Sequence, residues 1–242
     1  MRALDRQIAV VTGASGGIGG SIVSAFVHGG AHVVGVGREH NKLEALLMRL
    51  RGLAGSVEAF HADLTQDDDL TGLAEYISSK SGRLDILVHS AGAYAAGQLE
   101  ESSIETMDAL YAANVRGPYL LTKKLLPLLK KPRGQIVFIN SSAGLSARPG
   151  AGQFSATQHA FKALADGLRN ELNEDQVRVL SVYLGRTATA RTEAVTAKEG
   201  RDYLPGLLLQ PEDVASVVSN AIALSWTAEV SDISMRPMQK SY

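Results

Sequence analysis

The sequence predicts a single α/β domain of the doubly wound type, with a parallel sheet covered by helices on both faces. Three observations carry this expectation. Seven apolar runs rich in Val and Ile recur along the 242 residues, helical stretches separate them, and a glycine-rich turn joins the first run to the first helix. Near-continuous apolar runs suit strands buried on both faces. Regular alternation with helices implies right-handed crossovers between parallel neighbours. No Pro/Gly/Ser-rich linker and no repeat divides the chain, so residues 1–242 read as one domain.

The elements follow in order. QIAVVT (7–12) is the first strand, and TGASGGIG (12–19) links it to a helix over 17–29. Glycines at such a junction let backbone N–H groups approach a pyrophosphate, while the helix N-terminus supplies partial positive charge. HVVGV (32–36) is the second strand; it runs into Gly37 and Arg38, with no acid before Glu39. An acid there would accept bonds from ribose hydroxyls, whereas Arg pairs with a 2′-phosphate. The expected cofactor is therefore NADP(H) in preference to NAD(H), with Ser15 either a second phosphate contact or a turn residue.

A helix over 40–51 precedes the strand SVEAFH (56–61). Asp63, in FHADLT, is placed either against an adenine or, with Thr65, as a cap of the helix over 67–81. LDILVH (84–89), a long helix over 103–131, GQIVFIN (134–140), a helix over 153–173 and VRVLSVY (177–183) continue the alternation. Residues 186–210, which include Gly200, Pro205 and Gly206, break the rhythm and read as a partly ordered lid or substrate loop. A helix over 211–225 and the strand EVSDISM (229–235) complete the chain.

Composition excludes several functions. The formal net charge is −1 with no basic block, which argues against nucleic-acid binding. No cysteine is present, so disulfides, thiolate nucleophiles and sulfur-bound zinc are excluded. The six His residues (28, 32, 40, 61, 89, 159) lack metal-ligand spacing. No apolar stretch reaches the roughly 18 residues of a membrane span, and no signal-peptide segment precedes the first strand, so a soluble, cytoplasmic protein is expected.

TGASGGIG, ADLT, HSAG (89–92), NVRG (114–117), INSSAG (139–144), FSATQHA (154–160) and LGRTAT (184–189) occur in that order. Together they resemble the short-chain dehydrogenase/reductase family over nearly the whole chain. The resemblance implies a Rossmann-type fold with a seven-stranded sheet, a dinucleotide across its C-terminal edge, and oxidoreduction of a small carbonyl or alcohol. It implies a cofactor wall of Gly13, Ser15, Gly17, Ile18, Gly19, Arg38, Asp63, Leu64, Ala91, Gly92, Asn114, Gln158, Gly185, Thr187 and Thr189. It also implies a homodimer or homotetramer packed through the helices near 103–131 and 153–173.

The family's catalytic residues carry over one position at a time. Its supporting Asn corresponds to Asn114 and its Ser to Ser141. The Tyr that follows by thirteen residues corresponds to Phe154, and the Lys four further on to Gln158. In the family the Tyr hydroxyl exchanges a proton with the substrate oxygen, and the Lys lowers the Tyr pKa and binds the nicotinamide ribose. A benzyl ring and a primary amide cannot exchange protons near neutral pH. Losing a positioned general acid costs on the order of 10²–10⁴ in rate. Ser90 stands where the family usually has Asn, and Leu184 where it usually has Pro.

Tyr94, after the fourth strand, is the candidate substitute acid. His89 is expected to be a hydrogen-bonded structural residue, His159 a packing residue, and Tyr183 a core aromatic that alternatively borders the nicotinamide. Three readings stay open from the sequence. One is an oxidoreductase with strongly impaired hydride transfer. Another is a non-catalytic dinucleotide sensor, scaffold or subunit partner. The third is an active enzyme disabled by engineered Tyr→Phe and Lys→Gln changes.

Overall fold

The computed structural model describes residues 4–239. Seven parallel strands form one sheet: β1 (Ile8–Thr12), β2 (His32–Gly37), β3 (Ser56–His61), β4 (Ile86–His89), β5 (Gln135–Ser141), β6 (Arg178–Leu184) and β7 (Asp232–Met235). Their order is β3-β2-β1-β4-β5-β6-β7, so the direction of winding reverses between β1 and β4. That reversal opens a crevice at the C-terminal ends of the two strands, where α/β sheets bind ligands.

The strands are apolar throughout because both faces are buried. On β1, Ala9 and Val11 face one hydrophobic layer and Val10 the other. The first layer is closed by α1 (Gly17–His28), α2 (His40–Arg49) and α8 (Pro211–Ile222), through Ile22, Phe26, Leu43 and Val218. The second is closed by α3 (Asp67–Ser81), α5 (Gly117–Lys130) and α6 (Gly152–Glu171), through Leu73, Leu121 and Phe161. A fully buried side chain of this kind contributes about 1.5–3 kcal/mol relative to exposure. No helix among the described residues is long and apolar enough to cross a membrane.

Three expectations need correction. The long helix over 103–131 is α4 (Ile104–Tyr111), a π turn (Ala112–Arg116) and α5. Pro118 explains the widening: it has no N–H for the Asn114 carbonyl and its ring crowds that carbonyl, which a wider turn relieves. Residues 186–210 are more ordered than a lid loop, because they contain α7 (Ala190–Lys198), capped by the Thr189 hydroxyl accepting from the Thr192 N–H at 3.2 Å. Neither Asp63 nor Thr65 caps α3, whose N-cap position is Gln66.

Candidate active site

The glycine-rich turn is built around two positions that exclude a side chain. Gly13 has φ +70°, and a Cβ there would lie 2.8 Å from the Ala91 nitrogen. A Cβ on Gly19 would lie 2.2 Å from the Gly13 carbonyl oxygen. The turn therefore packs against the chain that leaves β4. Thr12 locks this contact, since its hydroxyl donates to the Val88 carbonyl (3.3 Å) and accepts from the Ser90 and Ala91 N–H groups (3.1 and 3.2 Å). The first turn of α1 has neither an acidic residue nor a side-chain cap, so its positive end is not neutralised locally. Those features fit a pyrophosphate.

At the other end of the same groove, Arg38 extends with its side chain 73% exposed and faces the Asp63 carboxylate at 3.5 Å. Asp63 Oδ1 accepts from the Thr65 N–H (2.9 Å) and hydroxyl (2.8 Å). Burial opposes ionisation of Asp63, but the Thr65 bonds and Arg38 outweigh it and hold the carboxyl below the usual range. Ser15 lies against Gly37, where a Cβ would come within 2.9 Å of its Oγ. Arg38, Ser15 and Asp63 thus share one end of the cleft.

The π turn sets the opposite end. It buries Asn114, whose amide grips both backbone groups of Ala93: Oδ1 accepts from its N–H at 2.6 Å and Nδ2 donates to its carbonyl at 3.0 Å. Nδ2 also donates to the Thr157 hydroxyl at 3.0 Å, which ties the π turn to α6. Asn140, at the end of β5, donates to the Gln158 carbonyl at 3.2 Å and accepts from the Ser141 N–H at 2.6 Å. Ser141 Oγ in turn accepts from the Ala143 N–H at 3.1 Å. These bonds hold the Ser141, Phe154 and Gln158 side chains along one wall.

Phe154 meets the Tyr94 ring edge-on, with centroids 4.9 Å apart and planes at 68°. Burial raises the Tyr94 pKa; Glu199 raises it further, and Arg186 only partly opposes this. α7 covers this region from above. Arg186 forks onto Glu199 at 2.8 and 2.6 Å, and Arg191 donates from Nη2 to the Gly92 carbonyl across the groove. A Cβ on Gly17 would lie 3.0 Å from Thr189 Cγ2, so the start of α7 abuts the first turn of α1.

The resulting cleft has a volume of about 1370 Å³ and is lined by every site residue read from the sequence, from Gly13 through Tyr94 and Ser141 to Thr189. That exceeds the roughly 300–1,000 Å³ typical of single small-molecule sites. His89, His159 and Tyr183 lie outside its walls. His89 is fully buried, paired through Nε2 with Thr122 at 2.8 Å, and burial pushes its pKa down to about 3. His159 Nδ1 lies 2.9 Å from the Ser155 carbonyl, and Tyr183 is a buried strand aromatic. Sequence reading missed Arg186, Arg191 and Glu199, because it did not recognise α7, which carries Arg191 and separates Arg186 from Glu199.

Residues 7–200 match the short chain dehydrogenase family. The chain belongs to this family. An uncharacterized oxidoreductase of Staphylococcus saprophyticus is 30% identical over 237 residues, covering 97% of this chain and 99% of that protein. A metagenomic short-chain oxidoreductase solved in complex with NADP is 30% identical, with a TM-score of 0.85 over 98% of this chain and 100% of that one. L-sorbose reductase from Gluconobacter frateurii shares the fold at 23% identity, with a TM-score of 0.89 and full coverage of both chains.

Proposed function

We propose that this short-chain dehydrogenase homologue binds NADP(H) in preference to NAD(H) and transfers hydride to a small carbonyl, or from an alcohol, only feebly. The observation that carries this reading is the pair on α6, a hydrocarbon ring and a neutral amide that line the cleft; the resemblance makes these the positions of the family's acid and cation. NADPH, when bound, would supply the hydride. The chain's residues must then stabilise the developing alkoxide and deliver a proton to it.

Ser141 can donate one hydrogen bond to a substrate oxygen. Phe154 offers no proton, and Gln158 offers an amide for a ribose hydroxyl but no positive charge for the alkoxide. Tyr94 is a poor replacement, since its raised pKa makes it a weaker acid and Arg186, the nearby cation, is already paired with Glu199. Asn114 has its amide committed to Ala93 and Thr157. The phosphate half supports binding through the Gly13 and Gly19 cradle, the uncapped first turn of α1 and Arg38; the NADP held by the metagenomic relative agrees with this. The working form is a homodimer or homotetramer.

The test restores the pair. Phe154→Tyr with Gln158→Lys is assayed with NADPH against a panel of small carbonyls beside the unmodified protein. Turnover rising by about 10² or more in the double variant is expected. Comparable turnover by the unmodified chain would overturn the reading of positions 154 and 158, and loss of that activity in Tyr94→Phe would then name Tyr94 as the acid.

A further inference from the structure

Four guanidiniums line the cleft, and among the described residues Arg148 and Arg191 have no carboxylate partner. Arg38 faces Asp63 and Arg186 forks onto Glu199. The hydrogen bond recorded for Arg191 runs to a neutral acceptor, the Gly92 carbonyl, which lies across the groove and 99 residues away in sequence. A guanidinium presents five donors in a planar fork that suits phosphate oxygens far better than a single carbonyl.

Its position adds a second argument. Arg191 follows Thr189 by two residues, and Thr189 packs on Gly17 at the first turn of α1. The start of α7 thus lies against the helix whose positive end is uncapped, while the Arg191 guanidinium reaches the β4 loop at Gly92. Its surroundings also favour an anion. Although Arg191 is solvent-exposed as a residue, the protein packed around its guanidinium, and then the neighbouring Arg38 charge, disfavour its protonated form. A phosphate between the walls would relieve both penalties.

We infer that Arg191 is a phosphate-binding residue, whose guanidinium exchanges the Gly92 carbonyl for the pyrophosphate oxygens of a bound dinucleotide and draws α7 over it. This rests on the dinucleotide reading above and deepens it. Arg38 then selects for the 2′-phosphate, while Arg191 holds the diphosphate common to NADPH and NADH.

The test measures dissociation constants of ADP-ribose, NADH and NADPH by calorimetry, at low and high salt, for the full chain, Arg191→Met and Arg191→Lys. ADP-ribose carries the pyrophosphate without the nicotinamide or the 2′-phosphate. Arg191→Met should weaken all three by a similar factor, roughly tenfold or more, as loss of a charged hydrogen bond does. It should also flatten the salt dependence, and Arg191→Lys should recover part of the affinity. The NADPH-to-NADH ratio should stay constant in Arg191→Met and fall in Arg38→Ala.

If Arg191 only latched α7 to the β4 loop, Arg191→Met would bind ADP-ribose as tightly as the unmodified chain or more tightly; either result overturns the inference. Weaker binding with unchanged salt dependence overturns it too, since that marks distortion rather than a lost charge. An unmodified chain that binds none of the three ligands brings down the dinucleotide reading and this inference together. Failure of this inference alone is distinguished by a chain that binds and does not respond to the substitution.

Discussion

Where Phe154 meets Tyr94, the cleft presents two aromatic rings and only one hydroxyl, at a distance set by edge-to-face packing of 4.9 Å. If position 154 is the family's tyrosine position, as proposed, the phenylalanine keeps the ring and its packing on Tyr94 while lacking the hydroxyl. His89 is a second residue whose environment decides its chemistry. Buried beside Phe138 and Phe161, it stays neutral in the folded chain down to about pH 3. The unfolded chain takes up that proton below about pH 6.5. Its depressed pKa therefore makes stability fall as pH drops from about 6.5 towards 3. Between pH 7 and 5 the loss should be about 2 kcal/mol. Urea titrations at both pH values check this. His89→Asn should lose distinctly less over the interval, and equal losses would contradict the assignment. The sequence revealed His89 as structural because an apolar strand leads into it; its pairing with Thr122, thirty-three residues on, lay beyond local pattern.

Elements were legible to the extent that local pattern determined them. β3 and α3 fall on the expected residues, because both ends of each are marked by polar or turn-forming neighbours. The π turn lay inside a continuous helical pattern, where Pro118 was its one local signal; the bonds that hold it, from Asn114 to Ala93 and Thr157, are long-range. α7 was not hidden by propensity, since most of ARTEAVTAK is Ala, Arg, Glu and Lys; it was passed over because it is short and lies in a segment with Gly200, Pro205 and Gly206, and it is fixed by the Thr189 cap and by the Arg186–Glu199 fork. That fork closes the segment at its C-terminal end. Glu199→Gln should speed amide exchange over residues 190–198 severalfold. A partly exposed ion pair is worth only about 0–1 kcal/mol, so the global melting temperature should scarcely change. Unchanged exchange over α7, followed by mass spectrometry, would show that the fork does not hold the helix.

For the whole molecule, the surface carries a concentration of apolar side chains on α4 and α5. Ile104, Tyr111 and Tyr119 are all at least half exposed. The homo-oligomer expected from the sequence would cover them, and a two-fold interface would bring the same patch of both copies together. Sedimentation velocity should give a dimer or tetramer mass, and Tyr111→Glu with Tyr119→Glu should shift it to the monomer. A monomeric unmodified chain would refute the expectation. The strand order has a consequence for how such a molecule is made. β1 lies in the middle of the finished sheet, but its second neighbour, β4, is encoded far downstream, after β2 and β3. On the ribosome, β1 therefore waits with one unpaired apolar edge until residues 86–89 have emerged. Such an edge is a template for pairing with another chain. The seam that later forms the cleft is thus an open edge while the chain is being made, and damage to β4 is expected to lower the yield of synthesis as well as the stability of the finished protein.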